Sequence, residues 1–382
     1  MGAITFDVSS LFKALLAVFC AGALYGWSAL APSLQSQFDT SKADVGFVFS
    51  LAIVSFTAAV LIAPRLVERF GDDVVIGASA FLATAWVGLA VVTSSFGMFL
   101  LCFSFGFGFA SGTIYSTALR VGASGARPWL TTPMIVAGFG LGGVVFSAIW
   151  TVLVAQGWGL RALAVLAGAL CLTAILGLTG RTINVRDRAG KSHPAGSESE
   201  TRRELALLWG IFAFGSFAGL MVMGLAGSVL EHSQAGITLT GIALAGVTVG
   251  NTLGRFSAAL TRGASPKLAL VVSVALSLVG LGLAVLSAAP AWVGVSLALI
   301  ALGYGLMASA LPLATSHIFG TQGFQAAYGI IFTAWGLSGF AAPWLAGLLF
   351  DLSGSFTPGF IVAIVTTLFT LPLIYLLDRE TR

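Results

Sequence analysis

The chain has 382 residues, of which 58% are hydrophobic and 8% are charged, with a formal net charge of +4. Soluble domains carry about 25% charged residues, so this composition excludes an ordinary soluble enzyme or binding module and indicates a membrane protein. The basic residues form no patch or motif typical of nucleic-acid binding. Cys20, Cys102 and Cys171 lie in apolar segments, where reduced core side chains are expected. We expect no metal ion, no cofactor and no nucleic-acid partner.

Twelve apolar stretches of 20 or more residues follow one another along the chain. Each is long enough, as a helix, to cross the roughly 30 Å hydrocarbon core of a bilayer. Several connections between them are short, as in bundles of antiparallel helices. The predicted spans are 11–37, 43–67, 73–94, 96–119, 130–155, 160–180, 205–229, 236–261, 267–288, 290–316, 324–350 and 357–378.

One segment differs from all the others. Residues 181–204 contain ten of the 32 charged residues of the chain. Such a polar stretch predicts an aqueous, cytoplasmic linker. It divides the chain into an amino-terminal bundle of six helices, residues 1–180, and a carboxy-terminal bundle of six helices, residues 205–382.

The two halves resemble each other weakly. Phe107-Gly108 in the fourth segment matches Tyr304-Gly305 in the tenth. Two six-helix repeats joined by a polar linker are an arrangement that secondary transporters use. We therefore predict an all-α membrane protein with twelve transmembrane helices, in two six-helix bundles related by pseudo-two-fold symmetry.

The distribution of lysine and arginine predicts the orientation. With the amino terminus in the cytoplasm, 15 of the 18 basic residues face the cytoplasm, Lys42 and Arg161 face outward, and Arg255 lies within the membrane. Cytoplasmic loops of membrane proteins carry such an excess. We expect a monomeric, multi-pass protein in the lipid bilayer of the cell inner membrane, with both termini cytoplasmic.

Arg255, in the eighth segment, is the most informative residue. An arginine inside a membrane helix costs roughly 2.5–3.5 kcal/mol on insertion scales, so it normally faces a cavity or an opposite charge. No acidic residue lies well inside any predicted segment, which indicates that the partner is a bound anion. A guanidinium offers planar, paired donors that match a carboxylate. The alternative is that Arg255 extends to the cytoplasmic surface, which Arg262 already marks.

The eighth segment has two distinct faces. Its small residues recur every four positions, which allows another helix to approach closely; they are Gly246, Gly250 and Gly254. Its polar residues share a different face of the helix; they are Thr248, Asn251, Thr252 and Arg255. This combination is typical of a helix that lines a cavity.

Aromatic side chains with a polar atom recur in the first, fourth, tenth and eleventh segments. They can form the wall of a small site and donate hydrogen bonds to its ligand, although ordinary packing or an interfacial belt is the alternative for each of them. The candidates are Tyr25, Trp27, Tyr115, Tyr304, Tyr328 and Trp335, with Phe332 on the same face as the last two.

The loop after the second segment reads APRLVERFGDD, from Ala63 to Asp73. It resembles the signature of the major facilitator superfamily, which has a glycine, three residues, Asp-Arg, any residue, a glycine and two basic residues. Here Glu68 replaces the aspartate, and Asp72-Asp73 replace the basic pair. The resemblance implies a twelve-helix secondary transporter.

Within that superfamily the chain resembles the oxalate/formate antiporter family and the related monocarboxylate transporters. The resemblance implies that Arg255 binds a substrate carboxylate, with Asn251, Tyr115 and Tyr304 around it. It is carried by five short stretches: Tyr25 to Ser28, Gly112 to Tyr115, Ala137 to Gly140, Asn251 to Arg255, and Tyr328 to Gly336.

Two positions depart from these families. Oxalate carriers have a lysine where this chain has Trp335, so one fixed cation remains and a monoanion is better matched than a dianion. Animal monocarboxylate transporters have an aspartate, implicated in proton coupling, where this chain has Asn251, which cannot titrate. Proton symport, anion exchange and facilitated diffusion therefore stay open.

These observations predict a carrier of small organic anions, namely monocarboxylates such as lactate, pyruvate or formate. The partners are the anion and, in a symporter, protons. The alternative is an efflux carrier for drugs or other lipophilic molecules, which the many phenylalanines and the glycine-rich fifth segment would accommodate. No nucleophile–base or metal constellation appears in the segments, so an enzyme is not expected.

Overall fold

A computed structural model describes residues 8–40, 42–123, 128–179, 198–260 and 266–377 of the chain, and these residues form helices and short connections, with no strand among them. Most of the predicted linker lies outside the described residues, and so does Arg262. The division of the chain at residues 181–204 therefore stays a prediction.

The helical stretches that correspond to the twelve predicted segments are numbered here in chain order. They are α1 (Val8–Ala21), α2 (Lys42–Phe70), α3 (Asp72–Val92), α4 (Gly108–Ala123), α5 (Pro128–Ala155), α6 (Ala164–Leu178), α7 (Glu198–His232), α8 (Ile237–Leu260), α9 (Pro266–Leu286), α10 (Pro290–Gly320), α11 (Ala326–Ser353) and α12 (Thr357–Leu377).

Three of these helices have irregular extensions. A 3₁₀ helix, Gly22–Ala29, continues α1 and is followed by the short helix Ala31–Phe38. A short helical turn and a π-helical stretch, Leu100–Phe107, precede α4, and a 3₁₀ turn, Gly159–Leu163, precedes α6. Such departures from regular α-helix often occur at functional positions, and the extension of α1 carries Tyr25.

Eleven stretches in the described part of the chain are long and apolar enough to cross a membrane. The predicted segment that is not among them is α8, which contains Arg255. Its 24 residues would extend about 36 Å as a helix, which exceeds the roughly 30 Å hydrocarbon core. The described part of the chain is thus all-helical, and the molecule is a multi-pass membrane protein.

The turn between α10 and α11 depends on one glycine. Helical hydrogen bonding is nearly continuous from Pro290 to Ser353, but Gly320 has a φ of 65° and a ψ of 176°. This conformation strains residues that carry a Cβ atom. Gly320 therefore separates the two helices.

Glycine contacts bring α8 against α10. A Cβ atom at Gly250 would lie 2.8 Å from the carbonyl oxygen of Ala298, and one at Gly254 would overlap the carbonyl oxygen of Leu302. The predicted packing role of this glycine face is confirmed. The polar face of α8 is a different one, and its Arg255 contacts α5, against which α8 also packs.

Two ion pairs join α1, α3 and α4 at one end of the bundle. Lys13 lies 3.5 Å from Asp73, and Arg120 lies 3.3 Å from Asp72. The acidic pair that departs from the superfamily signature thus has basic partners on neighbouring helices. The contacts place Lys13 and Arg120 at the same end of the molecule, as predicted, while the side of the membrane stays a prediction.

The cysteine prediction is partly wrong. Cys20 and Cys102 are buried, but Cys171 is exposed on the outer surface of the bundle. An apolar segment in lipid has an outward face as well as a core face, and the composition of the segment does not distinguish them.

Candidate functional site

Arg255 is buried at the centre of the molecule, with 2% of its surface exposed. Its Nε donates to Oδ1 of Asn251, one turn earlier on α8, at 2.8 Å. One terminal nitrogen donates to the carbonyl oxygen of Val136 on α5 at 3.2 Å, and the other donates to the hydroxyl of Tyr25 at 3.3 Å. The alternative that Arg255 reaches the cytoplasmic surface is therefore wrong in this conformation.

A chain of hydrogen bonds continues from Arg255 across the site. The hydroxyls of Tyr25 and Tyr304 are 2.7 Å apart. The indole nitrogen of Trp335 donates to the Tyr304 hydroxyl at 2.6 Å. The network joins residues that precede the predicted linker to residues that follow it.

Aromatic rings also stabilise the guanidinium. Its central carbon lies 5.4 Å from the ring centroid of Tyr25, 5.7 Å from that of Phe139 and 6.0 Å from that of Tyr304. These distances are within the range in which ring quadrupoles attract cations. The rings offset part of the cost of burying the cation, but they supply no negative charge.

Arg255 lines a central cavity with a volume of about 10 Å³, which is room for about one water molecule. The wall is mostly aromatic, and in the described part of the chain it includes no carboxylate. Its residues are Tyr25, Phe56, Tyr115, Phe139, Phe212, Arg255, Tyr304, Ala308, Tyr328, Phe332 and Trp335. No ion pair of Arg255 with an acidic residue occurs within the described ranges.

The structure brings together six of the seven site residues predicted from the sequence. Arg255, Tyr25, Tyr115, Tyr304, Tyr328 and Trp335 all line the cavity. The seventh, Asn251, is buried beside Arg255 and orients the guanidinium through its side-chain oxygen, but it does not form part of the wall. Trp27 also lies elsewhere, against Phe99 and Phe103.

Sequence reasoning missed several apolar wall residues. Phe56 on α2 and Phe212 on α7 carry no polar atom and occur in long apolar stretches, so nothing in their local sequence distinguishes them. Phe139 lies in the Ala137 to Gly140 stretch that carries part of the family resemblance, which is a signal that could have been used. Its ring meets that of Tyr25 edge to face, with centroids 5.0 Å apart.

The glycine-rich run of α5 provides the space for Arg255. A Cβ atom at Gly140 would lie 3.0 Å from Oγ1 of Thr252 and 3.1 Å from Cδ of Arg255. Both distances are tighter than ordinary van der Waals contact. The absence of a side chain at Gly140 thus lets the arginine of α8 approach α5 closely.

Comparison with known proteins agrees with this architecture. Residues 14–343 match the Major Facilitator Superfamily. The chain is also 24% identical over 344 residues to the "Uncharacterized MFS-type transporter YhjX" of Escherichia coli (strain K12), and this alignment covers 86% of the chain and 84% of the relative. Since the family match spans most of the sequence, the chain belongs to the major facilitator superfamily of membrane transporters.

Proposed function

We propose that the protein is a secondary transporter of small organic anions, namely monocarboxylates of the lactate, pyruvate or formate type. The observation that carries the proposal is the buried guanidinium of Arg255, which lines a central cavity and has no carboxylate partner within the described ranges. A buried cation is costly unless an anion compensates it. A single substrate carboxylate would supply one compensating charge.

The guanidinium of Arg255 could exchange its present hydrogen-bond acceptors for a substrate carboxylate. The terminal nitrogens of Arg255 donate to neutral acceptors, the Tyr25 hydroxyl and the Val136 carbonyl oxygen. A carboxylate accepts stronger, charge-assisted hydrogen bonds from the same donors. Asn251 would hold Nε throughout, so the guanidinium would keep its orientation while its outer edge binds the substrate.

The positions of the two acceptors of Arg255 in the sequence fit a mechanism of alternating access. Tyr25 and Val136 precede the predicted linker, whereas Arg255 follows it. Contacts of Arg255 with the first half of the chain must change when the halves rock about a central site. Substrate binding would therefore alter the same contacts that the transport cycle has to break and reform.

The coupling mode is proton symport or anion exchange. Asn251 cannot take up a proton, and tyrosine and arginine side chains ordinarily titrate well above neutral pH. The absence of a group that titrates near neutral pH among these site residues favours exchange, in which one anion replaces another on Arg255. A symporter would need its proton site outside the described wall.

Efflux of drugs or lipophilic cations is the competing function. The aromatic wall could accept such molecules, but Arg255 would repel a cation. Competition distinguishes the two functions, since organic acids should inhibit an anion carrier and cationic dyes should inhibit an efflux carrier.

Uptake into liposomes by the purified protein tests the proposal. We expect labelled lactate, pyruvate or formate to enter liposomes preloaded with the same unlabelled acid, with and without an imposed proton gradient, and the Arg255→Ala variant to lose at least about 100-fold in affinity, as expected for a buried charge-assisted contact. Arg255→Lys should retain part of the binding because it keeps the charge without the paired donors.

Arg161→Ala is the matched control, since Arg161 is an exposed arginine in the 3₁₀ turn that precedes α6, and it should transport normally. Folding of each variant is checked by gel filtration and thermal unfolding. Undiminished acid uptake by a folded Arg255→Ala variant would overturn the assignment of Arg255. Absence of uptake of every acid by the folded wild-type protein would overturn the substrate class.

A further inference from the structure

The hydroxyl group of Tyr328 takes no part in the hydrogen-bond network around Arg255. Its side chain is 4% exposed and lines the cavity, yet its hydroxyl forms no hydrogen bond of acceptable geometry with any described residue. Buried hydroxyls in folded proteins nearly always have a partner, because leaving one unsatisfied costs about 1–3 kcal/mol. An unsatisfied hydroxyl on a cavity wall therefore points to a ligand atom.

The Tyr115 hydroxyl lies close to that of Tyr328. The two groups interact electrostatically, and each also interacts with Arg255, but the geometry between them falls short of a proper hydrogen bond. A small polar atom between the two hydroxyls could bond to both. The cavity has room for about one atom group of the size of water.

Both tyrosine rings are held firmly in place. The Tyr328 ring stacks on Phe324 with centroids 5.1 Å apart, and contacts Phe332 at 5.6 Å. The Tyr115 ring contacts Phe56 at 5.5 Å and Phe139 at 5.3 Å. Rings that are fixed in this way hold their hydroxyls in a defined direction, which lowers the entropic cost of binding a ligand atom.

We infer that Tyr328, with Tyr115 beside it, forms a second polar contact in the cavity that binds an oxygen atom on the carbon next to the substrate carboxylate. The inference rests on the proposed function, because Arg255 must first hold the carboxylate. Tyr328 is then a specificity-determining residue. It favours a hydroxy or keto acid over the alkyl acid of the same shape, whose methylene group would leave the hydroxyl unsatisfied.

Lactate and propionate provide the test, since they differ by one hydroxyl group at that carbon. Calorimetry on the purified full-length protein in lipid nanodiscs should show that lactate binds about tenfold more tightly than propionate, as expected for one additional hydrogen bond. Tyr328→Phe should weaken lactate binding about tenfold relative to propionate binding, so that the preference disappears.

Tyr375→Phe is the matched control, because Tyr375 is an exposed tyrosine on α12, and it should retain the wild-type preference. Tyr115→Phe is the second variant and should reduce the preference for lactate if Tyr328→Phe does not fold. Equal binding of the two acids by the wild-type protein would overturn the inference. An unchanged preference for lactate in both folded variants would also overturn it. In either case, binding that depends on Arg255 would still support the proposed function. Failure of both acids to bind would overturn both.

Discussion

Replacing Asn251 by aspartate places a negative charge inside the site. Oδ1 of Asn251 already accepts a hydrogen bond from Nε of Arg255 at 2.8 Å, so an aspartate can take the same position without a change in shape. The Asn251→Asp variant would then carry its own counter-ion for Arg255. We expect a substrate anion to bind more weakly, because it would share the guanidinium with a second carboxylate.

The size of the effect follows from the geometry. A substrate carboxylate on the outer edge of the guanidinium would lie about 6 Å from the aspartate. Two like charges at that separation repel each other by about 3 kcal/mol at an effective dielectric constant of about 20. This corresponds to a loss of affinity of about 100-fold at neutral pH.

The variant should also acquire a dependence on pH. Repulsion by the bound anion favours protonation of the aspartate, so binding of the anion would be accompanied by uptake of a proton. Affinity in Asn251→Asp should therefore rise as the pH falls, by up to about tenfold per pH unit, whereas the wild-type affinity should change little by this route.

Calorimetric titration with lactate between pH 5 and 8 measures both effects. Asn251→Leu is the matched control, since it removes the hydrogen bond to Arg255 without adding a charge, and its affinity should not depend on pH in this way. An Asn251→Asp variant that folds and binds lactate as the wild-type protein does, with the same pH profile, would refute the electrostatic reasoning.

Three further predictions concern packing, ion pairing and charge. A Cβ atom at Gly305 would overlap the backbone of α8, so Gly305→Ala should lower the thermal unfolding temperature, whereas Gly282→Ala, which has open space around it, should not. Asp73→Asn leaves Lys13 without its ion-pair partner at 3.5 Å and should destabilise the protein measurably, with partial recovery when Lys13→Met is added. Trp335→Lys would add a second cation to the cavity wall, so oxalate should gain affinity relative to lactate; an unchanged ratio in calorimetry would count against the single-cation explanation of selectivity.

The two faces of α8 could be predicted because both depend on helical periodicity alone. Gly250 and Gly254 are one helical turn apart and share one face, and Asn251 and Arg255 share another. This spacing holds wherever the helix lies in the bundle. The structure confirms the close approach of the glycine face to α10 and the burial of the polar face.

The cavity wall was harder to predict, because its composition depends on how helices from distant parts of the sequence meet. Tyr25 and Tyr304 are separated by 279 positions in sequence, and their contact depends on the depth and tilt of α1 and α10. Phe56 and Phe212 resemble every other apolar residue of their segments. The role of Asn251 as the partner of Arg255 likewise required side-chain geometry, because the sequence placed it only on the same face.

The contacts of Arg255 must meet two opposing requirements. They must stabilise the buried cation when no substrate is bound, and they must be weak enough for a substrate to displace them. Asn251, Tyr25 and Val136 satisfy its donors in this conformation, so the arginine is tolerated inside the bundle in the absence of a counter-ion. The hydrogen bonds to Tyr25 and Val136 are at 3.2–3.3 Å, longer than the 2.7–2.9 Å of charge-assisted bonds to carboxylates. A substrate can therefore displace them, yet they are strong enough to keep the cation in place between transport cycles. A permanent carboxylate in place of the Tyr25 hydroxyl would stabilise Arg255 further and, for the same reason, oppose the binding of the anion.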